Sequence, residues 1–404
     1  MVFTDFILQH EGDDTARLLL SRGRYPGVDM DLAVNTIEVR RKLRTKVPEW
    51  YAVPSLRFPS RLSGEQCSSS ETARYKAGMI DPCPPSKKAW RVADLTGGMG
   101  VDSWAFAGRA EAVLYNEMRP ELAEAAAWNF KELGVKNITV QSREVMPGNV
   151  AAVLGDFGPD VIYLDPARRA EDGRKVFLIE DCRPDVLGIL PELFTAARFV
   201  LLKLSPMADI TMACRRLGHV REVHVVSADG ECKELLLLLD REWEDGYTMT
   251  AYGSGRTLAW TPEEEAAAAV RLPDGVDAPF LFEPGKALLK AAAFNLPCSR
   301  YGLTKLGIHT HLYLATEIPG ELRPFGKVYA VEEAVPLNNR SLKEMEKQYP
   351  RAEVTARNLP MTSETLRRKL GCTGGGEVHL FGVRIDRIDG SRENKILVTT
   401  PVRE

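Results

Sequence analysis

The sequence has no apolar run long enough to cross a membrane, and its start, MVFTDFILQHEGDD, is acidic where a secretion signal would be basic. Its seven cysteines include no CxxC pair, so neither a zinc ribbon nor a disulfide framework is indicated. The net charge of −3 gives no basic excess that would by itself indicate a polyanionic partner. These absences favour a reduced, cytoplasmic protein, and 404 residues are enough for two to four domains.

Proline-rich residues 81–86 separate a helical region from a region of alternating strands and helices. In the helical region, Ser68–Glu71 forms a capping box and predicts a helix that carries Lys76. Further along, Thr261–Glu263 and Ser341 predict helix starts among mixed strands and helices. We therefore predict four parts: a helical N-terminal region (1–86), an α/β domain (87–244), a small α+β module (245–325) and a compact α+β module (326–404).

Between 87 and 244, short aliphatic and β-branched runs alternate with helical segments, which indicates parallel strands buried on both faces of a sheet. Only Ser227–Lys233 separates the last two runs, too few residues for a helical crossover, so these runs are predicted to pair antiparallel. A seven-stranded sheet with a terminal antiparallel hairpin is the layout of Rossmann-like class I methyltransferases. The predicted strands are Arg91–Leu95, Ala112–Tyr115, Ile138–Gln141, Asp160–Leu164, Phe199–Leu204, Val220–Val226 and Glu234–Leu239.

The glycine-rich run Asp94–Gly100 follows the first predicted strand and precedes a helix, a position at which backbone can closely approach a ligand. Glu117 ends the second strand, where an acid can accept hydrogen bonds from ribose hydroxyls. A nicotinamide fingerprint would need a third glycine where Ser103 stands, so S-adenosylmethionine is the predicted cofactor. The predicted cofactor-binding residues are Asp94, Thr96, Gly97, Gly98, Gly100, Asp102, Glu117, Met118, Glu144 and Asp165.

The fourth strand ends in Asp165-Pro166-Ala167-Arg168, which resembles the (Asp/Asn/Ser)-Pro-Pro-aromatic motif of enzymes that methylate exocyclic amines. In that motif the polar side chain and a backbone carbonyl hold the amine, and the aromatic ring stacks on the base. Here Ala167 and Arg168 replace the last two positions, although the arginine plane could also stack on a base. This resemblance makes Asp165, Pro166 and Arg168 candidate catalytic residues for an exocyclic amine, the preferred interpretation.

A second interpretation starts from Lys203, on the fifth predicted strand. Ribose 2′-O-methyltransferases of this fold use a Lys-Asp-Lys-Glu set, and Lys76, Asp165, Lys203 and Glu234 occupy comparable positions along the chain. Clustered lysines and carboxylates can lower the pKa of one amine until it accepts a hydroxyl proton. The same residues could instead form a structural ion pair, so both interpretations stay open. No metal is predicted, because no further ligand accompanies the two imidazoles of His309-Thr310-His311.

Several segments together resemble the bacterial class I methyltransferases that carry a THUMP-like C-terminal domain: Asp94–Ala107, Tyr163–Arg169, Leu202–Pro206 and Glu222–Glu234, with Ser69–Ala77 and Leu281–Pro284. The resemblance implies a ferredoxin-like insertion near 275–320 and a C-terminal module similar to RNA-binding THUMP domains. RNA, either tRNA or rRNA, is then the implied substrate. The alternatives are an RNA-binding scaffold that holds the cofactor without methyl transfer, and a methyltransferase of a non-RNA acceptor.

Overall fold

A computed structural model describes residues 3–80, 90–168 and 179–402. The chain divides into two compact units. The first unit comprises Met1–Glu222 and Leu235–Gly246, and the second comprises Val223–Glu234 and Tyr247–Glu404. Within the described residues, no helix is both long and apolar enough to span a bilayer.

The N-terminal part of the first unit is helical. Ser69 caps the helix that carries Lys76, because its side chain accepts a hydrogen bond from the Thr72 backbone N–H. Phe6, Ile7 and Ile37 are fully buried in a small apolar cluster of this region. The helices are α1 (Phe3–His10), α2 (Thr15–Leu20), α3 (Met30–Lys46), α4 (Pro48–Tyr51), α5 (Arg61–Gln66) and α6 (Ser70–Met79).

Strands and helices alternate between residues 91 and 240, of which 223–234 belong to the second unit. The strands are β1 (Arg91–Asp94), β2 (Ala112–Asn116), β3 (Ile138–Gln141), β4 (Val161–Leu164), β5 (Ala167–Arg168), β6 (Cys182–Arg183), β7 (Phe199–Leu204), β8 (Val220–Ala228) and β9 (Glu231–Asp240). The helices are α7 (Val101–Ala107), α8 (Pro120–Glu132), α9 (Val150–Leu154), α10 (Val186–Ala196) and α11 (Ile210–Leu217).

The main sheet has nine strands, of which seven run in the order β3-β2-β1-β4-β7-β9-β8. Two further strands, β10 (Thr248–Gly253) and β11 (Arg256–Trp260), continue it beyond β8. Its first five strands pair in parallel, and β9 pairs antiparallel to β7. All four residues of β4 are buried, as is expected of a central strand covered on both faces. Asp229 and Gly230 both have positive φ and turn β8 into β9, which suits a two-residue hairpin. The predicted class I methyltransferase fold, with its parallel strands and antiparallel hairpin, is therefore confirmed, whereas the predicted count of seven strands is too low, because β10 and β11 extend the sheet to nine.

The second unit contains a seven-stranded sheet in the order β13-β14-β12-β15-β18-β17-β16. β12 pairs antiparallel with β15, so the two modules predicted at 245–325 and 326–404 contribute to one continuous sheet. The strands are β10 (Thr248–Gly253), β11 (Arg256–Trp260), β12 (Phe280–Pro284), β13 (Thr304–Gly307), β14 (Thr310–Ala315), β15 (Gly326–Pro336), β16 (Glu353–Arg357), β17 (His379–Asp386) and β18 (Arg392–Pro401). The helices are α12 (Pro262–Ala267), α13 (Lys286–Lys290), α14 (Leu296–Tyr301), α15 (Asn339–Gln348) and α16 (Ser363–Lys369).

One predicted helix start in this unit is wrong. Asn338, not Ser341, caps α15, because its Oδ1 accepts from the backbone N–H groups of Arg340 and Ser341, both at 3.0 Å. The helix therefore begins at Asn339, before the serine that the sequence pattern indicates.

Asp240, the last residue of β9, makes a two-bond ion pair in the first unit. Its carboxylate oxygens accept from Nε and Nη2 of Arg198 at 2.8 and 2.9 Å, and the side chain is 1% exposed. Burial alone would raise the pKa of Asp240, but the bonds from Arg198 and from the Glu242 backbone outweigh it and lower the pKa. The ionised carboxylate is therefore favoured in the folded chain.

Asp240→Asn is expected to lower the free energy of unfolding at pH 7 by about 2 kcal/mol, since hydrogen bonds to a buried charge are lost. A lowered folded-state pKa contributes stability above the unfolded value of about 4 and loses it as the pH falls through the folded value. The difference between variant and wild type should therefore shrink below about pH 4. Urea denaturation at pH 7 and pH 3 measures the free energy of unfolding of variant and wild type at each pH. The exposed substitution Asp245→Asn is the control. An unchanged free energy at pH 7 would contradict the assignment.

Candidate functional site

The glycine run after β1 forms a tight loop that only small residues fit. Gly98 and Gly100 have backbone φ angles of +54° and +94°, which residues other than glycine rarely adopt. A Cβ at Gly100 would lie 2.7 Å from Phe130 Cζ, and one at Gly97 would lie 2.2 Å from the Tyr115 ring. The loop is thus packed closely on the sheet side, and its glycines are required by backbone shape and by space.

Asp94 bonds the loop to the start of α7. The side chain is completely buried, one oxygen accepts from the Thr96 N–H at 3.1 Å, and the other accepts from the Ser103 hydroxyl at 2.6 Å. Burial raises the pKa of Asp94 to about 7, and these hydrogen bonds only partly oppose that effect. Its contacts are therefore with the loop and with the start of α7.

Glu117 brings the end of β2 to the same loop. Its Oε2 accepts from the Gly98 N–H at 2.9 Å, and its Oε1 accepts from the Arg119 N–H at 3.0 Å. Met118, between them, has 47% of its surface exposed. The loop and the acid that the sequence predicts as one site therefore lie together, with an exposed apolar side chain beside them. A closely approached backbone and a fixed carboxylate fit the ribose of a nucleoside cofactor.

Glu144 lies in a different contact. It is exposed in the loop after β3 and pairs with Arg183 on β6 at 3.0 Å. Its inclusion among the cofactor-binding residues stays a prediction, because its bonds to other described residues go to Arg183 and Asn149 and not to the glycine loop.

Asp165 lies just beyond β4 and is tied to the loop through its backbone. The Asp165 N–H donates to Thr96 Oγ1 at 2.6 Å, and the carboxylate accepts from Lys203 Nζ at 2.5 Å. Burial raises the pKa of Asp165, although the charge and the hydrogen bond of Lys203 act in the opposite direction. Pro166 is buried beside it. The side chain of Arg168 lies outside the described part of the chain, so the proposed stacking role stays a prediction.

A second ion pair lies close to the first. The Lys76 ammonium, completely buried on α6, is 3.1 Å from Asp102 Oδ1 on α7. Asp102 Oδ2 accepts from the Ser68 hydroxyl at 3.0 Å and from the Tyr163 hydroxyl at 2.8 Å. Asp102 is predicted from the sequence as a cofactor-binding residue, whereas Ser68 and Tyr163 are not predicted as site residues. Two signals in the sequence could have indicated them. Tyr163 stands two residues before Asp165, and Ser68 is the first residue of the capping box.

The structure therefore brings three of the four predicted tetrad residues into one charged cluster. The charges of Lys76 and Lys203 both act on Asp165. Glu234 is buried on β9, at the end of the segment that belongs to the second unit. The described residues contain no group of three or more side chains suited to hold a metal ion.

The chain matches a solved structure from Porphyromonas gingivalis W83, a provisionally assigned methyltransferase, over almost its whole length. The two are 32% identical, the match covers 99% of this chain and 98% of that one, and the TM-score is 0.86. The chain belongs to this methyltransferase family. In this chain, residues 280–321 match a ferredoxin-like domain family, and residues 326–401 match a THUMP domain-like family. These matches confirm the resemblance to methyltransferases with a THUMP-like C-terminal domain.

More distant structures share only part of the fold. A ribosomal protein L11 methylase from Lactobacillus delbrueckii subsp. bulgaricus is 18% identical over 47% of this chain and 83% of its own, with a TM-score of 0.29. An rRNA methylase from Streptococcus thermophilus is 12% identical over 42% and 94%, also at 0.29. No curated protein matches the chain. Likenesses at this level carry no conclusion about substrate.

Proposed function

We propose that the protein transfers a methyl group from S-adenosylmethionine to RNA. The support for the cofactor is the Gly98–Gly100 loop, with the Glu117 carboxylate bonded to its backbone. Asp94, Thr96, Gly97, Gly98, Gly100, Glu117 and Met118 would hold the cofactor. When bound, it supplies a methyl group on a positively charged sulfur, which needs no further activation by the protein.

The observation that carries the proposal is the double anchoring of Asp165. Its backbone is bonded to Thr96 in the loop, and its carboxylate is bonded to Lys203 on the neighbouring strand β7. A carboxylate held so close to the cofactor loop can fix an acceptor group in line for transfer. The catalytic contribution is then mainly proximity and orientation, which can supply many orders of magnitude in rate.

An exocyclic amine is the acceptor that this arrangement favours. The Asp165 carboxylate would accept an N–H from the amine, which orients the nitrogen lone pair and draws off the proton charge that develops during transfer. The Pro166 carbonyl, next along the chain, is the predicted second acceptor for that group. Lys203 would keep the carboxylate in place and partly neutralised.

A ribose 2′-hydroxyl is the second candidate, and the buried Lys76 ammonium is the observation that favours it. A hydroxyl is a weak nucleophile unless a base takes its proton, and the Lys76, Lys203 and Asp165 cluster contains groups able to do so. Glu234 would be the fourth member in that case. The support for RNA is the THUMP domain-like match, since the family otherwise leaves the acceptor unspecified.

Nucleoside analysis tests the proposal in cells. RNA from cells with and without the gene is digested to nucleosides and compared by mass spectrometry. One methylated nucleoside should disappear with the gene and return with the wild-type chain. A methyl on a base amine would support the Asp165 interpretation, whereas a methyl on ribose would support the Lys76–Lys203 interpretation. An unchanged set of nucleosides, with cofactor binding intact, would favour a scaffold or a non-RNA acceptor.

A further inference from the structure

Asp102 has no role in the transfer described above, yet it is among the most heavily bonded carboxylates of the site. One ion pair and two hydrogen bonds reach it from α6, from the residue before the α6 cap and from β4. A carboxylate removed from water at this depth costs several kcal/mol unless it is paired and hydrogen-bonded. A purely apolar contact between α6 and α7 would have avoided that cost.

The two carboxylates of the cluster are in opposite electrostatic states. Burial alone would raise the pKa of Asp102, but the charges of Lys76 and Lys203 outweigh it and lower the pKa. Burial raises the pKa of Asp165, and the negative charge of Asp102 adds to that increase. Neighbouring carboxyl groups with separated pKa values commonly take different roles in one site. The ionised form is therefore favoured at Asp102 and disfavoured at Asp165, whose side chain is 37% exposed and bonded to Lys203.

We propose that Asp102 is a positioning residue of the methyl-transfer site, which holds the Lys76 ammonium in place and acts on Asp165 through its charge. The inference rests on the proposed function but extends it to a residue outside the predicted tetrad. Asp102 is bonded to the Tyr163 hydroxyl at 2.8 Å, two residues before Asp165 in the chain, so its charge lies close to the Asp165 carboxylate. The charged and titratable groups that face Asp102 and Asp165 are Cys67, Lys76, Asp94, Tyr163, Cys182 and Lys203.

The charges of Asp102 and Lys76 have opposite effects on the pKa of Asp165. Removing the negative charge of Asp102 should lower the pKa of Asp165, because a like charge no longer opposes its ionisation. Removing the positive charge of Lys76 should raise the pKa of Asp165, because an opposite charge no longer supports it. If Asp102 and Lys76 served packing alone, the two substitutions would not shift the pKa of Asp165 in opposite directions.

The test is direct titration of Asp165 by NMR in protein labelled at the aspartate carboxyl carbons. The Asp165→Asn variant assigns the resonance. We expect Asp102→Asn, which keeps an oxygen for Ser68 and Tyr163, to lower the titration midpoint by about one pH unit. Lys76→Met should raise it, and exposed Asp156→Asn should leave it unchanged. The acid limb of the kcat/KM profile should shift the same way in each variant, with Asp165 ionised above it.

The inference would be overturned if the Asp165 titration midpoint shifted in the same direction in Asp102→Asn and Lys76→Met, or shifted in neither variant. So would circular dichroism spectra that show both variants unfolded, which would assign the pair to structure alone. The NMR titration does not need methyl transfer. An inactive wild type whose Asp165 midpoint shifts as expected would therefore refute the proposed function and leave this electrostatic assignment standing.

Discussion

Asp165→Ala is expected to lower methyl transfer by at least about 10³-fold while changing the affinity for S-adenosylmethionine only a few fold. The variant removes the carboxylate that would orient the acceptor, and orientation is the main source of rate in the proposed reaction. The backbone bond from the residue 165 N–H to Thr96 Oγ1 does not depend on the side chain and should persist. Single-turnover transfer and calorimetric titration of the cofactor measure the two quantities.

Exposed Asp156→Ala, in the same α/β region, is the matched control and should keep both values. Loss of cofactor binding in Asp165→Ala would move this residue to the cofactor site. Full activity in the variant would show that the anchored carboxylate does not align the acceptor, and would remove the observation on which the proposal depends.

Glu117→Ala is expected to weaken S-adenosylmethionine binding by at least about tenfold. The carboxylate accepts from the Gly98 N–H and from the Arg119 N–H, and hydrogen bonds to a charged group contribute about 1.5–3 kcal/mol each. Removing it frees the loop and also removes the predicted partner of the ribose hydroxyls. Calorimetric titration of wild type and variant measures the change.

The matched control for this variant is Glu121→Ala, an exposed acid in the first turn of α8. It alters charge near the same strand end and should bind the cofactor like the wild type. Equal affinities in Glu117→Ala and wild type would indicate that Glu117 only braces the loop, and would leave the ribose without its proposed acceptor.

Features that depend on neighbouring residues along the chain could be predicted from the sequence. The strands Ile138–Gln141 and Phe199–Leu204 have the predicted bounds. Phe199–Leu204 is mostly apolar and mostly buried, as is typical of a parallel strand inside a sheet. The glycine loop and Glu117 were also found, since each directly follows a strand. The antiparallel pairing of the last two strands was predicted from the short connection Ser227–Lys233 between them.

Some contacts between residues distant in the sequence were not predicted. The bond from Tyr163 to Asp102 joins residues 61 positions apart, and the bond from Ser68 to Asp102 joins residues 34 apart. No periodicity encodes such a pairing. The pairing of β12 with β15 likewise joins two regions that composition alone separates. The β10–β11 hairpin was not predicted either, because Ser254-Gly255 was not recognised as its turn.

Methyl transfer to RNA can be measured with purified protein and S-adenosylmethionine labelled in its methyl group. Total RNA and total protein from cells lacking the gene serve as separate acceptors. The account predicts label in RNA, in a single nucleoside, and none above background in protein. Label in protein alone, or no label in a preparation that binds the cofactor, would contradict it.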